Sequence, residues 1–171
     1  GAGGLSGDVS AMTSVGVHAL TVVTGAYVRD TTEIVDHPAF DEDAMGEQAR
    51  TILEDVSAQV IKVGFAGSAE NLSAIAEIAS DYAEVPVIAY MPNLSWWTEV
   101  QIDLYLDAFK ELVLPQTTVL VGNHSTLWRW LLPDWSSSKN PTPRDIARAA
   151  NALGVPYTLV TGIASSDQSI E

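Results

Sequence analysis

The most constraining feature of this sequence is the alternation of short apolar runs, rich in β-branched residues, with stretches of helical periodicity. The apolar runs, which we predict to be strands, span residues 15–23, 60–65, 85–90, 118–121 and 157–160. Nearly continuous apolar runs of this kind are typical of strands that are covered on both faces of a parallel sheet. Strands that alternate with helices at this spacing form βαβ units, so the sequence predicts an α/β layered fold.

Helical patterns fill several of the segments between the predicted strands, with apolar residues three and four positions apart. The clearest patterns cover residues 69–83, 98–113 and 143–153. Ser68 and Thr142 precede the first and the last of them, where a side-chain oxygen can accept from the free N–H groups of the first helical turn. The acidic run from Asp41 to Asp43 suits the start of a further helix, because carboxylates there complement the helix dipole.

The length of 171 residues fits one domain, and neither a linker nor an internal repeat divides the chain. The sequence opens directly on a glycine-rich turn and stops soon after a predicted strand. A parallel sheet that ended in this way would leave open edges, which isolated domains usually cover. We therefore expect a single domain over residues 1–171 that is incomplete at both ends.

The charge balance argues against several classes of partner. The chain carries 8 Lys and Arg against 22 Asp and Glu, for a net charge of −14, which disfavours binding to nucleic acids and to anionic membranes. No apolar run approaches the ~18–20 residues of a membrane span, and there is no cysteine for disulfides, thiolate metal sites or thiol nucleophiles. We expect a soluble cytoplasmic domain.

The glycine-rich start of the chain is the first candidate for ligand binding. Gly1, Gly3 and Gly4 precede a helical pattern that begins near Asp8. Glycines let a backbone approach a ligand closely, and a helix that follows them presents N–H groups to anions or polar groups. The alternative is a turn or a flexible N-terminus without a ligand.

The second candidate is Lys62, which interrupts the apolar run over residues 60–65. A lysine on a buried strand must reach solvent or find a partner, because an unpaired buried charge is costly. It would lie near the carboxyl end of the sheet, where open α/β sheets bind ligands. The alternative is that Lys62 pairs with an acid at the sheet edge.

The third candidate is the run from Asn123 to Thr126, which directly follows a predicted strand. These side chains either hold a ligand or a metal-bound water, or simply cap the helix that follows. The three histidines, His18, His37 and His124, show no metal-binding spacing, so we predict no metal ligand among them.

Tryptophans lie in or near two loop-like segments, at Trp96, Trp97, Trp128, Trp130 and Trp135. They are candidates for a hydrophobic lid or an interface patch, although we expect at least two of them to pack in the core. An exposed and contiguous group of them would favour an interaction module.

Several segments together resemble one known family. GGLSGDVSAMTSVGVHALTVVTGAYVRDT and IKVGFAGSAENLSAIAEI are similar to motifs of the hydroxymethylpyrimidine/phosphomethylpyrimidine kinases, and the register continues through VPVIAYMPN, LPQTTVLVGN and GVPYTLVTG. The resemblance implies a three-layer ribokinase-like fold, with a mostly parallel central sheet flanked by helices. It also implies ATP- and Mg²⁺-dependent phosphorylation of hydroxymethylpyrimidine or its monophosphate in thiamine biosynthesis. The family is often dimeric, so a homodimer is implied as well.

The resemblance carries binding roles onto individual residues. It implies substrate contacts at Gly1, Gly3, Gly4, Tyr27, Arg29, Lys62, Phe65 and Asn93. It implies nucleotide or phosphate contacts at Asn123, Thr126 and Thr161. The family's anion hole and catalytic aspartate correspond to positions after residue 171, so no catalytic residue is assigned.

Four positions depart from the family pattern. Arg29 stands where the family has Gln or Glu, and Met91 stands where it has the Asp of an Asp-Pro-Val segment. Thr126 replaces the Glu of the Asn-x-x-Glu motif, and Thr161 stands where many members have a lysine. Mg²⁺ prefers carboxylate oxygens. Two hypotheses follow: a kinase with the family substrate or an altered one, or a non-catalytic pyrimidine- or small-ligand-binding paralogue.

Overall fold

The computed structural model describes residues 4–163 of the chain. The helices are α1 (Leu5–Ser14), α2 (Glu42–Asp55), α3 (Ala69–Asp81), α4 (Glu99–Ala108), α5 (His124–Leu131) and α6 (Pro143–Ala152). The strands are β1 (Val28–Arg29), β2 (Ile34–Asp36), β3 (Ile61–Val63), β4 (Val87–Met91), β5 (Val119–Asn123) and β6 (Tyr157–Thr161).

Strands β3 to β6 form one sheet, in which each neighbouring pair is parallel and the spatial order follows the chain. Crossovers between parallel strands are right-handed, so α3, α4 and the pair α5–α6 pack on the same face of the sheet. Contacts of α3 with α4, and of α5 with both α6 and β5, agree with this arrangement. Strands β1 and β2 form a separate antiparallel hairpin. The chain is therefore an α/β fold in which the carboxyl ends of parallel strands lie along one edge.

The core lies between the sheet and these helices. Along β4, Val87, Ala89 and Met91 are buried, whereas Ile88 and Tyr90 between them are only half-buried. The other strands bury their helix-facing residues in the same alternating way, except that β6 remains largely exposed. Within the described residues, one face of the sheet is thus buried by helices and the other is partly covered.

Four of the predicted strands are confirmed, but the strand predicted over residues 15–23 is wrong. This segment has no regular secondary structure. The N–H of Val23 donates to the side-chain oxygen of Gln48 at 3.1 Å, and the Gln48 amide donates back to the Val23 carbonyl at 3.2 Å. Asn71 donates to the Thr24 carbonyl at 3.4 Å. Polar side chains of α2 and α3 therefore bind backbone groups at the end of this segment that a sheet ladder would have paired.

The predicted helix over residues 98–113 is confirmed only as far as Ala108. The chain continues as a π-helical turn over Phe109–Val113 and a 3-10 turn over Leu114–Gln116. Pro115 lacks an N–H, and its ring would clash with the carbonyl four residues earlier in an α-helix. The altered winding places Phe109, Val113 and Leu114 in the core, each at most 1% exposed.

The predicted cap at Ser68 is confirmed, since its side chain accepts from the N–H of Asn71 at the start of α3. The acidic run from Asp41 to Asp43 starts α2 as predicted, and Asp41 in addition caps this helix by accepting from the N–H of Ala44. None of the helices in residues 4–163 is long and apolar enough to cross a membrane.

Thr142 begins α6 with a reciprocal cap. Its Oγ1 accepts from the Asp145 N–H at 3.2 Å, and the Asp145 carboxylate accepts from the Thr142 N–H at 2.8 Å. We expect Thr142→Ala to lower the free energy of unfolding by about 1 kcal/mol, because a backbone donor loses its partner. Urea denaturation measures this, with Ser136→Ala in the exposed loop as the control. Equal stability of the two variants would contradict a role for the cap.

Candidate functional site

The carboxyl ends of β3 to β6 form an edge that carries four of the predicted site residues. Phe65 follows β3, Asn93 follows β4, Asn123 ends β5 and Thr161 ends β6. Neighbouring strands are about 4.8 Å apart, so these residues follow one another along the edge. This is the place where open α/β sheets bind ligands.

Aromatic side chains meet beside the end of β3, and we call Tyr27, His37, Phe65, Trp96 and Trp97 the aromatic cluster. Phe65 lies at its centre, with ring centroids 4.7 Å from His37, 5.6 Å from Trp96 and 5.2 Å from Trp97. The Tyr27 ring stacks on Phe65 at 5.9 Å, with an interplanar angle of 21°. Flat heterocycles bind to such rings by stacking and by edge contacts.

His37 gives this cluster a polar group. Its ring lies edge-on to Tyr27 at 4.6 Å, and its Nδ1 is buried without a hydrogen-bond partner among the described residues. Burial lowers the pKa of His37, so the imidazole is neutral at pH 7. A neutral imidazole donates from one nitrogen and accepts at the other. Burial also raises the pKa of Tyr27, so its hydroxyl keeps its proton.

The hairpin brings Tyr27 and His37 together. Tyr27 precedes β1 and His37 follows β2, so the antiparallel pairing of these strands places the two rings side by side. At the tip of the hairpin, the Asp30 carboxylate accepts from the Thr32 hydroxyl and from the N–H groups of Thr32 and Glu33. These bonds lower the pKa of Asp30 to about 2, so the tip stays ionised and hydrogen-bonded.

Two fully buried polar side chains hold the backbone beneath the aromatic cluster. The Asn71 amide donates to the carbonyls of Ala66 at 2.8 Å, Phe40 at 3.1 Å and Thr24 at 3.4 Å. The Tyr105 hydroxyl accepts from the Ala66 N–H at 3.0 Å, and burial raises the pKa of Tyr105. The Asn71 bonds join the segment after β3 to the two segments that flank the hairpin, and the Tyr105 bond joins it to α4.

Lys62 forms an ion pair with Asp8 of α1. The ion-pair alternative for this lysine is therefore confirmed. Its Nζ also lies 5.9 Å from the centroid of the Tyr90 ring, on the face of the sheet opposite α3. Both charged side chains are 28% exposed, so the pair remains open to solvent. A contact between Lys62 and a substrate stays a prediction.

The other predicted substrate contacts lie outside this cluster. Arg29 is exposed on β1, where its Nε donates to the Asp30 carbonyl at 3.0 Å. Gly4 is exposed before α1, with a φ of 114°. Gly1 and Gly3 lie outside the described residues. The binding roles of these residues stay predictions.

Asn93 and Thr126 line the same cavity, which has a volume of about 170 Å³ and lies between the loop after β4 and helix α5. The Asn93 side-chain oxygen accepts from the Ser95 N–H at 2.9 Å. The Asn93 carbonyl accepts from the Trp96 indole at 3.1 Å. Trp96 is therefore hydrogen-bonded to the loop that lines this cavity, but no residue of the aromatic cluster lines the cavity itself.

Asn123 caps α5, as the capping alternative predicted. Its Oδ1 accepts from the N–H of Ser125 at 3.0 Å and from the Ser125 hydroxyl at 2.8 Å. Thr161 lies opposite Asn123 in the register of β5 and β6, and its hydroxyl donates to the Gly122 carbonyl at 3.3 Å. The structure thus makes Asn123 and Thr161 neighbours and leaves their contact with phosphates a prediction.

The side chains at the ends of β4 and β5 do not fit a resident Mg²⁺. Met91 and Thr126 carry no carboxylate, and the Asn123 oxygen already accepts two hydrogen bonds in the cap. Residues 4–163 contain no group of three or more His, Cys, Asp or Glu side chains arranged for a metal ion. Because Mg²⁺ requires an octahedral set of hard oxygen donors, no chemical step is assigned to a metal held by these residues.

Four of the five tryptophans lie in the core or in the aromatic cluster, whereas Trp135 lies in the loop before α6 and donates to the Lys139 carbonyl at 2.8 Å. Trp130 is 6% exposed in the core, and Trp97 and Trp128 pack against it, which confirms that at least two are core residues. Trp96 and Trp97 stack on each other at 5.5 Å and contact Phe65. They belong to the aromatic cluster and do not form a separate surface patch.

Sequence patterns did not identify His37 or Arg129 as members of these sites. His37 lies in a segment without periodicity, and only the pairing of the hairpin brings it to Phe65. Arg129 lines the cavity with Thr126. It lies three residues after Thr126 on one helix face, a spacing that is visible in the sequence.

Comparison with known proteins identifies the family. A family model described as phosphomethylpyrimidine kinase matches residues 1–171. The chain belongs to this family. It is 26% identical over 179 residues to a hydroxymethylpyrimidine/phosphomethylpyrimidine kinase of Mycobacterium leprae, and 27% identical to one of Mycobacterium tuberculosis. Both alignments include the whole of this chain. The chain spans only 62% of the length of the Mycobacterium leprae relative and 63% of the length of the Mycobacterium tuberculosis relative.

Solved structures show the same fold. The phosphomethylpyrimidine kinase of Clostridium difficile superposes with a TM-score of 0.77 at 13% identity, over 90% of this chain and 68% of that one. The last common ancestor of a group of vitamin kinases gives 0.74 at 21% identity, over 91% and 70%. A pyridoxal kinase of Bacillus subtilis gives 0.72 at 20% identity, over 91% and 57%. The α/β fold of this family member is therefore ribokinase-like, as the resemblance predicted.

Proposed function

We propose that the protein that contains this chain binds hydroxymethylpyrimidine or its monophosphate at the aromatic cluster and phosphorylates it with ATP, as a step of thiamine biosynthesis. The family supports kinase activity, and its curated relatives carry names that specify this substrate. Because ATP is the phosphoryl donor, we propose that the protein acts in the cytoplasm.

The observation that carries the proposal is the aromatic cluster itself. A pyrimidine is a flat, polar heterocycle, and Phe65, stacked on Tyr27 and bordered by Trp96, lies at the carboxyl edge of the sheet. Stacking of a base on an aromatic ring contributes about 1–3 kcal/mol. The neutral His37 imidazole borders Phe65 at 4.7 Å and adds a polar ring to the cluster, while its Nδ1 is itself buried near Gly67.

One observation favours a second candidate, a pyrimidine-binding protein without phosphoryl transfer. Phosphoryl transfer depends on positioning and on electrostatic stabilisation of the charge that spreads over the transferred group. Thr126 and Met91 remove carboxylates that the resemblance implies at this edge. The aromatic cluster is unaffected by these changes, so binding could persist after catalysis was lost.

Thermal melting with each ligand, together with ADP release, tests the proposal. A ligand present at 100 times its Kd stabilises the native state by about 2.7 kcal/mol. We expect hydroxymethylpyrimidine to raise the melting temperature by several degrees, and ADP to form only when both the pyrimidine and ATP–Mg²⁺ are added. Cytidine, a pyrimidine on a bulky sugar, serves as the control ligand.

Each outcome separates the two candidates. Stabilisation with ADP formation supports the kinase. Stabilisation without ADP formation supports the non-catalytic binding protein and contradicts the kinase. If neither hydroxymethylpyrimidine nor its monophosphate raises the melting temperature, the assignment of the aromatic cluster as a pyrimidine site is wrong.

A further inference from the structure

The histidine of the aromatic cluster lies in a gap that two glycines leave for it. A Cβ atom at Gly25 would lie 2.6 Å from the Cε1 of His37, and a Cβ atom at Gly67 would lie 3.0 Å from it. A side chain at either position would therefore displace the His37 ring. Gly25 precedes β1 and Gly67 follows β3, so the ring fills the joint between the hairpin and the sheet.

The backbone that follows His37 is paired with the segment before β1. The Ala26 N–H donates to the Pro38 carbonyl at 3.1 Å, and Gly25 and Ala39 form an antiparallel bridge beside this bond. The backbone at the base of the hairpin is thus held by hydrogen bonds that do not involve the imidazole. The His37 side chain can leave the gap by rotating about its own bonds, while the hairpin stays in place.

The His37 ring contacts both members of the stacked pair in the aromatic cluster. Its centroid lies 4.6 Å from that of Tyr27 and 4.7 Å from that of Phe65, at interplanar angles of 69° and 71°. The centroids of Tyr27 and Phe65 are 5.9 Å apart. His37 is therefore closer to each of these rings than they are to each other, and its edge supports their stack from one side.

The gap suits the neutral imidazole and not the imidazolium ion. A protonated imidazole carries an N–H on both nitrogens, but the His37 Nδ1 is buried without a hydrogen-bond partner among residues 4–163. A buried cation whose N–H finds no acceptor is costly, so protonation favours a ring that has turned out toward water.

The groups around His37 do not offset this cost. Phe65 and Gly67, which contact the ring from the segment after β3, carry no charge. Tyr27 keeps its proton, because burial raises the pKa of its hydroxyl. The Asp36 carboxylate accepts from the backbone N–H of His37 at 2.8 Å. Burial lowers the pKa of His37, and it outweighs the opposite effects of the His37 backbone and of Asp36.

We propose that His37 is the positioning residue of the aromatic cluster and that it acts as a neutral imidazole. The neutral ring fills the gap beside Gly67 and holds Tyr27 against Phe65, and protonation turns it out of the gap. The stack then loses its support, so the affinity for a flat heterocycle falls as pH falls. The inference rests on the proposed pyrimidine site, but the arrangement of the rings is measurable without a ligand.

NMR titration of the ligand-free protein tests the positioning first. We expect the Cε1–H resonance of His37 and the ring resonances of Tyr27 to shift together as pH is lowered. Their common midpoint should lie below about 6.5, the value of an unperturbed histidine. Nuclear Overhauser effects between the rings of Tyr27 and Phe65 should weaken over the same range. The variants His37→Phe and Tyr27→Phe assign the resonances.

Affinity for hydroxymethylpyrimidine, measured by calorimetry at pH 7.5 and pH 5, tests the consequence. His37→Phe keeps a ring in the gap but cannot be protonated. We expect the affinity of the parent, taken as a ratio to that of His37→Phe at the same pH, to fall at least fivefold on acidification. His18→Phe, the same change at an exposed histidine, should follow the parent within twofold. Protonation of the ligand itself is common to all proteins and cancels in these ratios.

His37→Ala removes the supporting ring without adding volume to the gap. We expect it to bind hydroxymethylpyrimidine at least fivefold more weakly than the parent at pH 7.5. At pH 5 the two should differ less than twofold, because the parent has then also lost its support. Melting curves verify that the variants are folded.

Three results would overturn the role of His37. They are Tyr27 resonances that do not move while His37 titrates, a ratio of parent to His37→Phe affinity that is the same at both pH values, or parental affinity of His37→Ala at pH 7.5. If hydroxymethylpyrimidine binds to none of these proteins, the proposed pyrimidine site is wrong, and the ligand-free titration still decides whether His37 positions the rings. The two failures are therefore distinguishable.

Discussion

Asn71→Asp is expected to destabilise the protein by about 3–5 kcal/mol at pH 8, because a carboxylate would then face three backbone carbonyls. The Asn71 amide donates to the carbonyls of Ala66, Phe40 and Thr24 from a fully buried position. Aspartate has nearly the same shape but no N–H to donate. The loss would therefore come from a buried charge and from carbonyls that lose the amide donor, with little change in packing. Of the three carbonyls, that of Thr24 would keep the N–H of Phe40 as a donor, at 2.9 Å.

The pH dependence of this loss has a defined sign. Burial among carbonyls should raise the folded-state pKa of the new acid above its unfolded value of about 3.9. The native state then binds more protons than the unfolded state, so the stability of the variant relative to the parent falls as pH rises from about 4. Urea denaturation at pH 4.5 and pH 8 measures the difference, which should be larger at pH 8.

Asn140→Asp is the matched control, since Asn140 is exposed in the loop before α6. We expect its effect to stay within about 0.5 kcal/mol at either pH. An Asn71→Asp protein with parental stability at pH 8 would show that the backbone beneath the aromatic cluster does not depend on this amide. A loss of equal size at both pH values would contradict the raised pKa.

Phe65→Leu is expected to reduce the affinity for hydroxymethylpyrimidine about tenfold or more while the protein remains folded. Phe65 is the central ring of the aromatic cluster, with Tyr27 stacked on it and His37 at 4.7 Å. Leucine fills most of the same volume, so the stability cost should be below about 1.5 kcal/mol. It cannot stack on a heterocycle, and stacking accounts for about 1–3 kcal/mol of binding. Calorimetric titration with hydroxymethylpyrimidine measures the affinity.

Phe40→Leu separates this effect from a general loss of aromatic surface. The Phe40 side chain is 46% exposed, and it is not part of the aromatic cluster. We expect this variant to bind the pyrimidine as the parent does. If Phe65→Leu binds with parental affinity, the aromatic cluster packs the protein but does not bind the heterocycle.

Sequence patterns predicted the local elements well and the contacts between them poorly. The caps at Ser68 and Thr142 were predictable because an N-cap depends on residues within one helical turn. The segment 15–23 has the composition of a strand, yet Gln48 and Asn71 bind the backbone at its end instead of a neighbouring strand. A strand needs a partner, and a partner is a property of the fold.

In the candidate site, too, the positions of residues along the chain were predictable and the contacts between distant residues were not. The resemblance placed Phe65 and Asn93 at the pocket edge, which follows from their positions after β3 and β4. It did not predict the contact of His37 with Phe65, since these residues are 28 positions apart in the sequence and meet only through the hairpin.

By itself the sequence determined the family, the α/β class, four of the strands and the helix caps, because periodicity, caps and motifs depend on residues that lie close together in the chain. Only the tertiary structure decided which acid pairs with Lys62, which rings surround Phe65, and that Arg129 opens onto a cavity with no acid in it. These depend on side chains far apart in the chain, and their contacts form only once the sheet, the hairpin and the helices have packed together.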